Sequence, residues 1–177
     1  MGEPVTEAEF PRLLASIERS AFRLETRPAY KLDVEQADFD RFLAGRPVPP
    51  PQCDWWQPSL ARTRRQTSEG KTIGRIRIVE EPPTPYQRWL LWSTPWLAEA
   101  GEDVRYLPRS RARAIGLALD CDWWLLDDSR LILMRFTDAG EIAGKELITG
   151  REAIASYLNW RHLAVRNAVA AGELTAA

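Results

Sequence analysis

Between Asp120 and Gly150 the chain reads Asp-Cys-Asp-Trp-Trp-Leu-Leu-Asp-Asp-Ser-Arg-Leu-Ile-Leu-Met-Arg-Phe, then Thr-Asp-Ala-Gly and a further short apolar segment. Trp123 to Leu126 and Leu131 to Phe136 are near-continuous apolar runs, and Asp127 to Arg130 separates them. Aromatic and aliphatic side chains of this kind fit a pleated surface, while Asp bonds its own backbone in a tight turn. The stretch predicts a buried antiparallel meander. Its third strand is expected over about Gly144 to Ile148, after a second turn at Asp138 to Gly140.

Upstream, the pattern alternates helix and strand. Thr6 and Glu9 form a capping-box pair, and Phe10, Leu13, Leu14 and Ile17 recur at helical spacing, so a first helix is expected from about Glu7 to Ser20, with Pro11 tolerated in its first turn. Phe22 to Thr26 alternates apolar and charged residues, as a half-buried strand does. Asp33 is placed to cap a second helix carrying Val34, Phe39, Phe42 and Leu43, with Gly45 ending it. Arg46 to Pro58 holds five prolines and reads as a stiff loop.

Beyond it, Leu60 to Gly70 reads as a polar helix and Thr72 to Val79 as a central strand ended by Pro82, Pro83 and Pro85. Tyr86 to Glu99 reads as a helix with Trp89, Trp92 and Trp96 on one face and a kink or split at Pro95. Glu102 to Leu107 is expected as a strand, Arg109 to Leu117 as a short helix, and Arg151 to about Ala171 as a final helix. That last helix is capped near Thr149 and turns Ile154, Tyr157, Leu158, Leu163 and Val165 inward. The fold expected is α/β: a central mixed β-sheet with a C-terminal antiparallel meander and helices packed on it. Three segments are read within one compact domain: a helix-strand-helix portion (1–46), the Pro-rich loop (47–58) and an α/β body (59–177).

Composition narrows the function classes. With 24 basic against 25 acidic residues and a net charge of -1, the chain lacks the cationic excess of a general polyanion binder, so direct nucleic-acid binding is not expected. No apolar run is long enough to cross a bilayer, and Met1 to Thr6 lacks the basic and apolar regions of a signal peptide, so the expected location is the cytoplasm. Cys53 and Cys121 imply no disulfide framework, and with one His they fall short of a zinc ligand set; no metal or cofactor is expected.

Several blocks then line up in order: Phe22-Arg23-Leu24-Glu25, the loop after Phe42-Leu43-Ala44-Gly45, Arg75-Ile76-Arg77-Ile78-Val79-Glu80-Glu81-Pro82 and Tyr86-Gln87-Arg88-Trp89. Ala100-Gly101-Glu102-Asp103-Val104-Arg105 and Trp123-Trp124-Leu125-Leu126-Asp127-Asp128 follow. This series, from about Phe10 to Val169, resembles the actinobacterial domain of unknown function 6879 family. The resemblance implies no assigned activity; it implies a small cytoplasmic companion of a helix-turn-helix transcriptional regulator. A fainter similarity is to one half of a phospholipase D type sandwich. That superfamily's motif needs a Lys two residues after its His, and His162 is followed by Leu163 and Ala164, so on this resemblance the chemistry is lost.

The candidate chemistry reads blandly in most places. Cys-Asp-Trp-Trp occurs at both 53–56 and 121–124, but the flanks differ and coincidence is the favoured reading. Asp127 and Asp128 read as turn formers, without the His or Lys partners an acid/base pair needs. Arg62, Arg64, Arg65, Lys71, Arg75 and Arg77 form the one basic cluster, either a solvated face or a site for a phosphate-bearing ligand. No catalytic set emerges. The leading expectation is a non-enzymatic interaction protein that meets its partner through Trp55 and Trp56 in the Pro-rich loop. The alternative is a sensor of a small anionic ligand, with a pocket beside the sheet near Arg75, Arg77, Trp89 and Asp122. Arg88, Asp127 and Asp128 complete the candidate partner or ligand surface.

Overall fold

The computed structural model describes residues 2–174. Helices α1 (Glu9–Ala15), α2 (Asp33–Leu43), α3 (Gln57–Ser68), α4 (Pro85–Glu99), α5 (Arg109–Ala114), α6 (Arg151–Asn167) and α7 (Ala171–Leu174) surround one sheet. Its strands are β1 (Glu3–Pro4), β2 (Ser20–Glu25), β3 (Thr72–Val79), β4 (Glu102–Pro108), β5 (Asp122–Leu126), β6 (Arg130–Phe136) and β7 (Ile142–Ile148). They lie in the order β1-β7-β6-β5-β2-β3-β4. β2, β3 and β4 run parallel, and β5, β6 and β7 form the expected antiparallel meander. The join is β2, which pairs antiparallel with β5. The N-terminal portion and the body thus share one sheet, with β2 of the former inserted between β5 and β3 of the latter.

The sheet has two unlike faces, because side chains alternate along each strand. One face collects Phe22, Leu24, Ile76, Ile78, Trp123, Leu125, Leu131 and Leu133 against Ala112 of α5 and Ile154 and Ala164 of α6. Burying a side chain of this size stabilises by about 1.5–3 kcal/mol. The opposite face carries Arg23 and Glu25 of β2, Arg75 and Arg77 of β3, Glu102 and Tyr106 of β4, and Asp122 and Trp124 of β5. Helices α1 to α4 lie over this face, with Leu14, Leu60, Trp89, Leu90 and Leu97 packed around the polar centre.

Local expectations hold where backbone chemistry decides and shift where packing does. Gly45 and Gly70, with φ of +70° and +83°, end α2 and α3. Asp127 and Asp128, with φ of +52° and +60°, form the tight turn between β5 and β6. α1 is shorter than its periodicity predicts: it stops at Ala15, because Glu18, Arg19 and Ser20 give their N–H groups to the Asp127 carboxylate instead of to a helix. Asp33 does not cap α2; it lies inside the first turn after Leu32, where its charge still faces the positive helix end. The Pro-rich loop holds a short 3-10 turn at Pro50–Gln52, and α3 starts at Gln57 because Pro58 suits a first helical turn.

Pro95 does not split α4, which runs unbroken from a Thr84–Gln87 capping box. α6 starts from Gly150 without a side-chain cap at Thr149, and it closes on the sheet through Ala164, leaving Val165 37% exposed. The two-residue edge strand β1 had no periodic signal. Among the described residues no helix is long and apolar enough to cross a membrane.

Asp127 also bonds Arg130 Nη2 at 2.8 Å, so one carboxylate ties the turn to the start of β2. Removing it strands several backbone donors. Asp127→Ala is expected to lower unfolding stability by about 3 kcal/mol, read by urea denaturation, whereas Asp128→Asn, which keeps a residue suited to the left-handed turn and removes only the charge of the partly exposed pair with Arg161, should cost under about 1 kcal/mol.

Candidate functional site

The charged face of the sheet is built by register. Arg23 lies opposite Arg75 and Trp124, and Glu25 opposite Arg77. Cross-strand neighbours on one face are within side-chain reach. Glu25 therefore sits among three guanidinium groups: Oε1 accepts from Arg75 Nη1 and lies 3.2 Å from Arg23 Nε, and Oε2 accepts from Arg77 Nε at 2.7 Å. Burial opposes charge on Glu25, but Arg23, Arg75 and Arg77 outweigh it and hold the carboxyl well below the usual range. Arg75 also donates Nε to Glu102 at 2.6 Å, and Arg77 donates Nη1 to the Leu90 carbonyl and to Tyr106 Oη.

Asp122 anchors the next layer. Fully buried, it accepts from Thr26 N and Oγ1 at 2.8 Å and from Tyr30 Oη, and it lies 3.6 Å from Arg23 Nη2. Burial raises its pKa, against the pull of Arg23, Tyr30 and Thr26. At the N-terminal end of α2, Glu35 accepts from Tyr86 Oη. Burial pushes its carboxyl up to about 7, against the hydrogen bond from Tyr86.

These groups border a cavity of about 320 Å³ between the sheet and helices α1 to α4. Its floor is Arg23, Arg75 and Trp124, with both guanidiniums over the indole ring at 5.4 and 5.7 Å. Its walls are largely aromatic: Phe10, Tyr30, Trp55, Trp56, Tyr86 and Phe136. Arg62 of α3 also lines it, and Lys145 of β7 does so while paired with Glu7.

Three donors on this cavity are unspent. The buried Trp124 Nε1 has no hydrogen-bond partner. Arg23 Nε is likewise without one, since its approach to Glu25 is too poorly directed for a hydrogen bond. Arg62, half-buried, makes no hydrogen bond or ion pair among the described residues; burial and then Arg75 lower its pKa. Buried donors in folded proteins are nearly always satisfied, so the two at Trp124 and Arg23, beside the unpaired guanidinium of Arg62, mark this cavity as a candidate site.

The residues singled out from the sequence divide accordingly. Arg75, Arg77, Trp55 and Trp56 line the cavity, and Asp122 and Trp89 back its walls: Trp89 packs edge-on to Trp56 and Tyr86. Trp56, expected to resist burial in a Pro-rich loop, is 6% exposed, and Trp55 stacks on it at 4.7 Å while donating Nε1 to Asp38. Arg88 is elsewhere, exposed and bonded to the Pro83 carbonyl; Asp127 and Asp128 belong to the turn. His162 is exposed on α6, the helix on the opposite face of the sheet.

Sequence reasoning placed Arg62 in its basic cluster but passed over Arg23, Glu25, Tyr30, Glu35 and Trp124 as site residues. One signal was available: Arg23-Leu24-Glu25 and Arg75-Ile76-Arg77 share the same alternation, so two adjacent strands would place opposite charges on one face. Among the described residues no group of three or more His, Cys, Asp or Glu could hold a metal ion.

Glu35 gives this site a pH signature. Its folded-state pKa, about 7, lies above the ordinary 4.5, so it binds its proton more tightly when folded. Its stabilising contribution is complete below about pH 4.5 and is lost as pH rises through about 7, to a limit of about 3 kcal/mol. Glu35→Gln keeps an acceptor for Tyr86 and removes the titration. Wild-type stability in urea is expected to fall between pH 5 and 7.5 relative to the variant; parallel curves would rule the buried carboxyl out as the cause.

Comparison with curated proteins gives no match. A family described as a domain of unknown function (DUF6879) matches residues 8–176, a span holding the whole meander, the parallel strands β2 to β4 and every group that lines the cavity except Glu7. On that match the chain belongs to the domain of unknown function (DUF6879) family.

Proposed function

We propose that this protein is a regulatory module that binds a small anionic molecule in the cavity beside the sheet and acts by binding, without turnover. The observation that carries the reading is the convergence of Arg23, Arg62 and Trp124, each with unspent donors, on one cavity of about 320 Å³. A concave, mostly apolar pocket with a few convergent polar groups is the usual form of a small-molecule site. Guanidinium groups fixed by carboxylates, as Glu25 and Glu102 fix Arg75, meet an anion without losing side-chain entropy.

The absence of turnover is supported by the chemistry of the available nucleophiles. Burial raises the thiols of Cys53 and Cys121 to about 11, which keeps them protonated at neutral pH. The arginines around Glu25 hold it ionised and fully engaged, so it is a structural anion and a poor proton carrier.

The partner reading attaches to the same element. Val34 and Leu43, at the two ends of α2, are 63% and 55% exposed, on a helix whose Glu35 lines the cavity. In this reading occupancy is passed to a helix-turn-helix regulator through α2, in the cytoplasm.

Thermal unfolding in acetate, benzoate, 2-naphthoate and inorganic phosphate tests the ligand reading. At least one anion is expected to raise Tm saturably, as selective binding to the folded state does. Arg62→Met, on a half-exposed helix position, should weaken that binding at least tenfold, about 1.4 kcal/mol. Equal responses in wild type and variant would remove the cavity as the site.

A further inference from the structure

The cavity is specific beyond its charge. Around it stand four guanidinium groups, Arg23, Arg62, Arg75 and Arg77, against Glu25, the backing carboxylates Glu102 and Asp122, and Glu35, whose carboxyl burial pushes up to about 7. Lys145 is matched by Glu7. With Glu35 protonated the excess is a single positive charge, which a monoanion neutralises and a doubly charged phosphate over-neutralises. Desolvating an unmatched charge is costly, so the count discriminates.

Size and walls speak to the rest of the ligand. A dry cavity of roughly 150 Å³ admits one benzene ring. At about 320 Å³ this one has room for two fused rings, whereas acetate or inorganic phosphate would leave most of it unfilled. The aromatic walls face one another in edge and stacked pairs: Tyr30 meets Phe136 at 5.0 Å and Tyr86 at 5.9 Å, and Trp55 stacks on Trp56 at 4.7 Å. Such walls favour a flat ring, which gains stacked and edge contacts that an aliphatic chain does not. The cations gather on the floor, where Arg23 and Arg75 cover Trp124.

We propose that the ligand class is an aromatic monocarboxylate of one or two fused rings, with its carboxylate received by the guanidiniums of Arg62 and Arg23, the latter above Trp124, and its ring held between Tyr30, Phe136 and the Trp55–Trp56 stack. This inference rests on the small-anion reading of the same cavity and narrows it. A planar carboxylate matches the fork of a guanidinium, which a neutral amide or alcohol would engage more weakly. Arg62 is the specificity-determining cation, because Arg75 and Arg77 are already spent on carboxylates.

The test is calorimetric titration of the full chain with 2-naphthoate, its neutral analogue 2-naphthamide, acetate and inorganic phosphate, each repeated with Arg62→Met and Trp55→Leu. The expected result is 2-naphthoate binding at least tenfold more tightly than each of the other three. Arg62→Met should reduce 2-naphthoate to the level of 2-naphthamide, and Trp55→Leu should weaken 2-naphthoate at least fivefold, with circular dichroism showing both variants folded. Acetate or phosphate binding as tightly as 2-naphthoate, with dependence on Arg62, would overturn the aromatic assignment and leave the small-anion reading standing. Equal binding of 2-naphthoate and 2-naphthamide would overturn both, since charge would then play no part, and so would no binding by any of the four.

Discussion

Glu25 is the point on which this molecule turns. Its two oxygens face Arg23, Arg75 and Arg77 in the interior of a sheet, an arrangement in which each charge is tolerable only because the others are present. Desolvating an ion costs several kcal/mol, and mutual attraction offsets that cost only when geometry is good and the remaining donors are occupied. Here the network extends to Glu102, Tyr106, Asp122 and Tyr30, so the charged layer behaves as a connected unit. Withdraw Glu25 and three cations are left facing one another. Leave it in place and the arginines become a rigid, pre-arranged surface.

That network also explains the division of labour between the faces of the sheet. Leu24, Ile76, Trp123, Leu125 and Leu131 pack with α5 and α6 into an apolar layer that needs no polar partner. With stability supplied there, the other face can carry a partly filled, polar interior under α1 to α4. The cavity sits at the seam of two apolar clusters, one gathered around Leu14 and Trp124 and the other around Trp56, Trp89 and Leu97. Neither cluster fills the space between them, because the arginines and their carboxylates stand in it.

Two of the shifted carboxyls, Glu25 and Glu35, show how position alone separates like groups. Glu25, surrounded by cations, is held ionised; Glu35, buried beside a tyrosine hydroxyl with no cation in bonding reach, is pushed up to about 7. The second group responds in the physiological range. It lies on the same cavity and on the helix whose ends expose Val34 and Leu43.

Local sequence determined the elements: the meander from Asp122 to Ile148, the glycine stops at 45 and 70, the Asp127–Asp128 turn and the strand 72–79 all follow from side-chain periodicity and backbone allowance, which act over a few residues. It also placed Arg75, Arg77, Trp55 and Trp56 among the residues to watch. What it could not fix was the strand order. Only the tertiary structure inserts β2 between β5 and β3, and that step sets Arg23 against Trp124 and Glu25 against Arg77, pairings separated by dozens of residues in the chain. An alternating charged strand looks the same from sequence whether its charged side meets water or a buried partner. The choice was made by the helices that close over this face, because only their packing decides which charges lose their solvent.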